Sequence, residues 1–204
     1  MATAYVDGLE RAAAAGVDLA PIASVASVFL SRIDAKVDPL LDEIGTPEAA
    51  ALRGTAAVAG ARASYEAFRE IFTSPRWNDL AAAGARVQRP LWASTGVKDP
   101  SYPDTRYVDE LIAPDVVNTM PEKTLEAVLD HARLPAGDGP VDTLTPHIAT
   151  AHEQLDGLLR LGVPYEQLLA DLTREGVESF IDSWNHLLET VSTALTDARN
   201  TRNA

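Results

Sequence analysis

Three short apolar runs alternate with helical patterns along this chain, and that alternation constrains the fold more than any other feature. Ile22 to Leu30, short and rich in Val, Ile and Phe, reads as a buried strand, and Gly84 to Ala93 and Val116 to Thr119 read as two more. Pro90 stands inside the second run, where it fits a central strand poorly. Strands separated by helical stretches predict an α/β fold with parallel strands and helical crossovers. Three strands do not close a barrel, which needs eight and usually about 250 residues. The pattern therefore predicts part of a larger sheet. Tyr5, Val6, Leu9, Ala12 and Ala13 follow helical spacing from the first residues, with Gly16 as the stop and no strand ahead of them. That opening reads as a chain cut within a domain.

The helical stretches carry their own punctuation. Ile33, Val37, Leu40, Leu41 and Ile44 share one face, and Pro39 predicts a restart there with Asp38 as cap. Thr46 and Pro47 are an N-cap and first-turn proline for one long helix to about Phe72, small-residued from Ala56 to Ala63. Ser94 to Tyr107 reads as loop, and Tyr107 to Ile112 as a short helix. Pro121 opens a helix to about His131 with Leu125, Val128 and Leu129 inward. Ala136 to Pro140 reads as a Gly/Pro linker. Helices follow over about Thr145 to Leu161 and Pro164 to Asp197. Leu168, Leu172, Phe180, Trp184, Leu187, Leu188 and Val191 form the apolar stripe of the last. The expected organisation is a partial barrel over 1–134 and C-terminal helices over 141–204 packing on it, one domain overall.

Charge and composition narrow the function classes. The 204 residues include 30 acidic and 17 basic ones, a formal charge of −13. Such a surface repels nucleic acid and anionic lipid, yet two cations in one pocket still attract a small anion. No cysteine is present, which excludes disulfides, thiolate catalysis and Cys-ligated zinc. Met1 to Leu9 has no apolar core run, and no stretch approaches the roughly 20 apolar residues of a membrane span. A soluble, cytoplasmic protein is the expectation.

The residues that could carry chemistry lie at the predicted strand ends. Active sites of α/β barrels lie at the C-terminal ends of the strands. Ser27, Ser31 and Arg32 follow the first strand. Ser94, Thr95, Gly96 and Lys98 follow the second, and Asn118 and Thr119 end the third. Hydroxyls, a glycine and two cations on one rim suit a phosphate group. The competing reading pairs Arg32 with Asp34 or Asp38 at the surface. Arg86 and Arg89 fall at the opposite rim and read as structural. His131, His147, His152 and His186 lack metal-ligand spacing, and Gly137-Asp138-Gly139 reads as a turn. The three lysines, Lys36, Lys98 and Lys123, fall on helices or in a loop. None lies inside an apolar strand, where burial would lower an imine-forming amine's pKa.

Several long phrases resemble the transaldolase family, most closely its actinobacterial type. They are Ser24 to Asp34, Gly84 to Lys98, Tyr102 to Asp109, Val116 to Leu125, and Glu175 to Phe180 followed by Ser183-Trp184-Asn185. The resemblance implies the C-terminal portion of a TIM (β/α)8 barrel, strands six to eight, with a helical tail. It implies transfer of a dihydroxyacetone unit from sedoheptulose 7-phosphate to glyceraldehyde 3-phosphate in the pentose phosphate pathway. The reaction runs through a lysine Schiff base, with no cofactor and no metal. The family's imine-forming lysine and proton-handling groups lie on the first five strands and have no matching positions here. The phosphate side does match: Ser27, Phe29 and Arg32 at the sixth strand and Ser94 at the seventh. Lys98 stands where many members carry a second phosphate arginine. The implied partners are sugar phosphates, and either the missing N-terminal half or self-association. Two alternatives stay open: an inactive truncated remnant, and a stand-alone sugar-phosphate binding module.

Overall fold

The computed structural model describes residues 1–135 and 141–202, with the Arg202 side chain left out of account. The linker read over Ala136 to Pro140, with its Gly137-Asp138-Gly139 turn, lies outside the described residues. The chain divides into two compact units, Met1–Val163 and Pro164–Ala204.

The first unit is built around a parallel sheet of β1 (Ser24–Phe29), β2 (Gln88–Ala93) and β3 (Val117–Asn118), in that spatial order. Parallel pairing in chain order requires crossovers, and the helices supply them. Between β1 and β2 run four helices, α2 (Ser31–Ile44), α3 (Pro47–Leu52), α4 (Ala56–Phe72) and α5 (Pro75–Ala82). Helix α1 (Ala2–Ala14) precedes β1, and α6 (Arg106–Asp109) lies between β2 and β3. After β3 come α7 (Glu122–His131), a 3-10 turn at Thr145–His147 and α8 (Ile148–Arg160). The strands thus appear where the apolar runs predicted them, each shorter than its run.

The core lies behind the sheet. Trp92 is fully buried, and its indole N–H donates to the Leu111 carbonyl at 3.0 Å. Helix α4 buries Ala56, Ala57, Val58, Ala59 and Ala61, small residues that let it pack against α8, α2 and β2 at once. On α8, a Cβ added at Gly157 would stand 2.9 Å from Leu52, so that glycine sets a close approach. Farther along α4, the Phe68 and Phe72 rings meet tilted at 46° with centroids 5.0 Å apart, and Phe72 meets Trp77 of α5 edge-on at 4.7 Å.

Four expectations change. The long helix predicted from Thr46 is two helices, broken at Gly54, whose φ of 72° is left-handed. Its N–H donates to Asp38 at 2.7 Å and its carbonyl accepts from Arg106 at 2.6 Å. Helix α2, by contrast, runs unbroken through Pro39. The carboxylates of Asp34 and Asp38 reach out to the chain at Ala57 and Gly54, so tertiary bonds hold the helix across a residue that removes one of its own. Asp38 is therefore a tether and not a cap. Helix α5, unforeseen, starts at Ser74-Pro75, where the Ser74 hydroxyl accepts from the Trp77 N–H. On α7, Leu125 and Leu129 are exposed rather than inward, because no described element covers that face.

The second unit is one helix, α9 (Tyr165–Arg202), of 38 residues. No helix among the described residues is long and apolar enough to cross a membrane.

Candidate functional site at the C-terminal rim of the sheet

The two long strands end together. Register pairs Phe29 with Ala93, and beyond that pair the Leu30 N–H donates to the Ala93 carbonyl and the Ser31 N–H to the Ser94 carbonyl. β3 joins the same rim: the Thr119 N–H and hydroxyl both donate to the Trp92 carbonyl, and the Thr95 hydroxyl donates to the Thr119 carbonyl at 2.7 Å. Ser94 holds φ at 54°, a left-handed conformation a non-glycine residue adopts at a cost of about 1 kcal/mol or more. The backbone is thus turned sharply at the end of β2, one residue past the strand.

The sequence-predicted residues divide between this rim and a neighbouring cleft. Ser27 and Phe29 share the front face of β1 with Val25, on alternate positions, all exposed. Arg32, in the first turn of α2, lays its guanidinium over the Phe29 ring, 5.0 Å from the centroid. Phe29 pairs with the residue before Ser94, so Ser27, Phe29, Arg32 and Ser94 belong to one end of one sheet. The competing ion-pair reading of Arg32 is overturned. Asp34 accepts from the Ala57 N–H and the Tyr107 hydroxyl, Asp38 from the Gly54 N–H and the Tyr102 hydroxyl, and neither binds Arg32. Among the described residues no carboxylate neutralises Arg32. Stacking on an aromatic face leaves its N–H donors available to an anion.

Lys98 is placed differently. It lines a cleft of about 270 Å³ with Ser31, Asp34, Asp38, Arg53, Asp99 and Tyr102. No hydrogen bond or ion pair joins it to Arg32. What links the two is Ser31, the cleft residue that precedes Arg32. The Ser31 hydroxyl is buried without a hydrogen-bond partner. Arg89, set aside as structural, donates to the carbonyls of Asp115 and Val116 at the opposite end of the sheet. That use leaves it no part in the rim.

A polar network that sequence reasoning missed fastens this end of the fold. Arg53 bonds Asp42, Asp99 and the Tyr102 hydroxyl at 2.9, 3.0 and 3.1 Å. Asp99 also accepts from the Ser101 N–H and hydroxyl, bonds that hold its carboxyl below the usual range, with Arg53 adding to the effect. Burial pushes the Asp34 carboxyl up, against the opposing bonds from Tyr107 and Ala57. Burial first, then the Asp34 charge, raises the Tyr107 hydroxyl. The segment that carries Lys98 is therefore strapped to α2 and α3 by charge-assisted bonds. The Tyr102 to Asp109 phrase held these residues in plain view. The roles of Tyr102 and Tyr107 were illegible because their side-chain partners Arg53, Asp38 and Asp34 lie 49 or more residues away in sequence.

The histidines form no metal site, and among the described residues no group of three His, Cys, Asp or Glu side chains could hold an ion. His131 bridges Asp104 and Asp130, and those two bonds raise its pKa. The three lysines lie on α2, before α6 and on α7, and none lies on β1, β2 or β3.

Residues 5–191 match the family model of transaldolase/fructose-6-phosphate aldolase. The chain belongs to that family. It is 54% identical over 195 residues to a transaldolase of Parafrankia sp. (strain EAN1pec), covering 96% of this chain and 52% of that protein. It is 54% identical over 192 residues to transaldolase 1 of Streptomyces avermitilis, covering 94% and 50%. A transaldolase of Arthrobacter sp. (strain FB24) is 53% identical over 196 residues, covering 96% and 52%. The chain thus spans about half the length of these transaldolases. The matched half holds the whole rim from Ser27 to Thr119 and the cleft beside it.

Proposed function

We propose that this chain is the phosphate-holding part of a transaldolase, with β1, β2 and β3 serving as strands six to eight of an eight-stranded barrel. The reaction moves a dihydroxyacetone unit from sedoheptulose 7-phosphate to glyceraldehyde 3-phosphate. One observation carries the reading: Arg32 stands at the C-terminal rim with its guanidinium stacked on Phe29 and, among the described residues, no carboxylate against it. The sugar phosphate's dianion takes the guanidinium from one side and the hydroxyls of Ser27 and Ser94 from the strand ends. Lys98, across Ser31, adds the second cation. The strap through Arg53, Asp99 and Tyr102 keeps that cation from drifting, which lowers the entropic cost of closing on the ligand. No cofactor or metal is required by this chemistry. The protein's expected location is the cytoplasm.

The imine-forming lysine is not supplied by this chain. Neither Lys36, Lys98 nor Lys123 sits on a strand, where a desolvated pocket would activate an imine-forming amine. The isolated chain is then a non-catalytic piece, and activity requires the other half of the barrel. The half-length match to the transaldolases supports this second element of the reading.

Borohydride trapping tests it. The purified chain with fructose 6-phosphate should give no covalent adduct by mass spectrometry. The same chain co-expressed with the first half of the Parafrankia relative should give an adduct on that half. An adduct on Lys36, Lys98 or Lys123 would sink the claim that the nucleophile lies elsewhere. An assembled pair that traps no sugar would sink the assignment as a functional part.

A further inference from the structure

Helix α2 carries Arg32 in its first turn, and two sets of bonds grip that turn. Backbone bonds from Leu30 and Ser31 to the end of β2 set where the helix starts. Held there alone, the helix can still turn about that point. The second grip comes from Asp34, buried on the inner side of α2. Its carboxylate accepts from the Ala57 N–H at 2.8 Å and from the Tyr107 hydroxyl at 2.6 Å. The first bond has a structural use. Thr55, the N-cap of α4, makes no side-chain cap bond, and Asp34 takes one of that helix's free N–H groups instead. The second bond has no such use. Tyr107 is buried, its carbonyl accepts from the Asn118 side-chain amide at 3.1 Å, and Asn118 pairs with Trp92 in the sheet. The Asp34–Tyr107 bond therefore joins the start of α2 to the rim of β3.

We propose that Asp34, held by Tyr107, is the residue that positions Arg32 over the rim for its anion. Two helical residues separate Asp34 from Arg32, about 200° round the axis. Asp34 faces the interior where Arg32 faces out over Phe29, so turning the helix at one swings the other. A carboxylate gripped from two elements stops that turn. The bond to Tyr107 is charge-assisted and shielded from water, which makes it stronger than a neutral one. A guanidinium already aimed loses less freedom on meeting an anion. Asp38, one turn on, makes the same pair of bonds to Gly54 and Tyr102, and these hold the body of the helix rather than its first turn.

The effect on affinity rests on the reading of the rim as a phosphate site; the effect on Arg32 itself does not. Tyr107→Phe removes the hydroxyl and keeps the ring. In the NMR spectrum of the ligand-free chain, the Arg32 Nε–H, identified by its loss in Arg32→Ala, should be displaced upfield by the Phe29 ring. Tyr107→Phe should return it toward the positions of exposed arginines. Inorganic phosphate should then bind about tenfold more weakly, the lower end of what losing an outer partner costs at a metal site. Asp34→Asn, which keeps the shape and the Ala57 bond but not the charge, should act in the same direction to a lesser degree. Tyr65→Phe is the structural control. Its buried residue bonds the Pro114 carbonyl ahead of β3, and losing that hydroxyl should change neither the Arg32 signal nor the affinity. An Arg32 signal that neither Tyr107→Phe nor Asp34→Asn moves would overturn the proposal. So would an equal movement in Tyr65→Phe, or a wild-type phosphate affinity retained in Tyr107→Phe. If the signal moves while the wild-type chain binds no phosphate, the positioning of Arg32 stands and the phosphate reading of the rim falls.

Discussion

The back and the front of the three-stranded sheet are finished to different degrees. Behind it, Trp92 is sealed under α4, and its one polar atom is bonded to Leu111. In front, Val25 and Phe29 stand 47% and 37% exposed on alternate positions of β1. The back positions of β1 are half-buried and its front positions exposed, and on β2 Pro90 and Trp92 are buried. The rim residues cluster at the junction: Arg32 comes from the finished helical layer and folds over Phe29 of the open face. The difference teaches that the burial that stabilises the sheet and the residues proposed to hold a ligand fall on opposite faces of the same strands.

Substitutions should separate the two faces. The largest effect is expected from Trp92→Ala at the back, a loss of about 3–5 kcal/mol read by chemical denaturation. A small loss there would mean the back is not the core. Next is Gly54→Ala. The added Cβ would stand 2.6 Å from the Tyr102 ring at a left-handed φ, and roughly 1–3 kcal/mol should be lost. The strap should loosen too, seen as faster amide exchange from Asp99 to Tyr102. Phe29→Ala on the front should cost under about 1 kcal/mol, since the ring is already partly in water. A large cost would show that the front is packed and would break the comparison.

The smallest effect concerns a peripheral tether. Asp104 and Asp130 raise the His131 pKa, so any stability it lends is complete below its ordinary value near ~6.5 and is lost as pH rises through the raised one. An NMR titration should place its midpoint above that of a free histidine, and Asp104→Asn should lower it. An unchanged midpoint would remove the tether between α7 and the Asp104 segment.

The sequence made the strands and their order readable because a buried parallel strand leaves a local trace, a run of Val, Ile and Phe bounded by turns. The rim followed from it, since Ser27, Arg32 and Ser94 take their places from strand ends alone. The break at Gly54 was illegible because Asp38, Tyr102 and Arg106 enforce it from elsewhere in the chain. Leu125 and Leu129 mislead for the complementary reason: an apolar face is written in the sequence, but its occupant is not. Lys98 shows the limit at the site itself. Its spacing after Ser94 set it beside Arg32, whereas the fold seats it in the next cleft, with Ser31 between them.

The central claim is that the C-terminal rim holds a phosphate. An NMR titration of the 204-residue chain with inorganic phosphate, observing backbone amides and arginine Nε–H groups, tests it most directly. Saturable shifts at Arg32, Ser31 and Ser94 that vanish in Arg32→Ala are the predicted result. Shifts confined to other residues, or unchanged by Arg32→Ala, would contradict it.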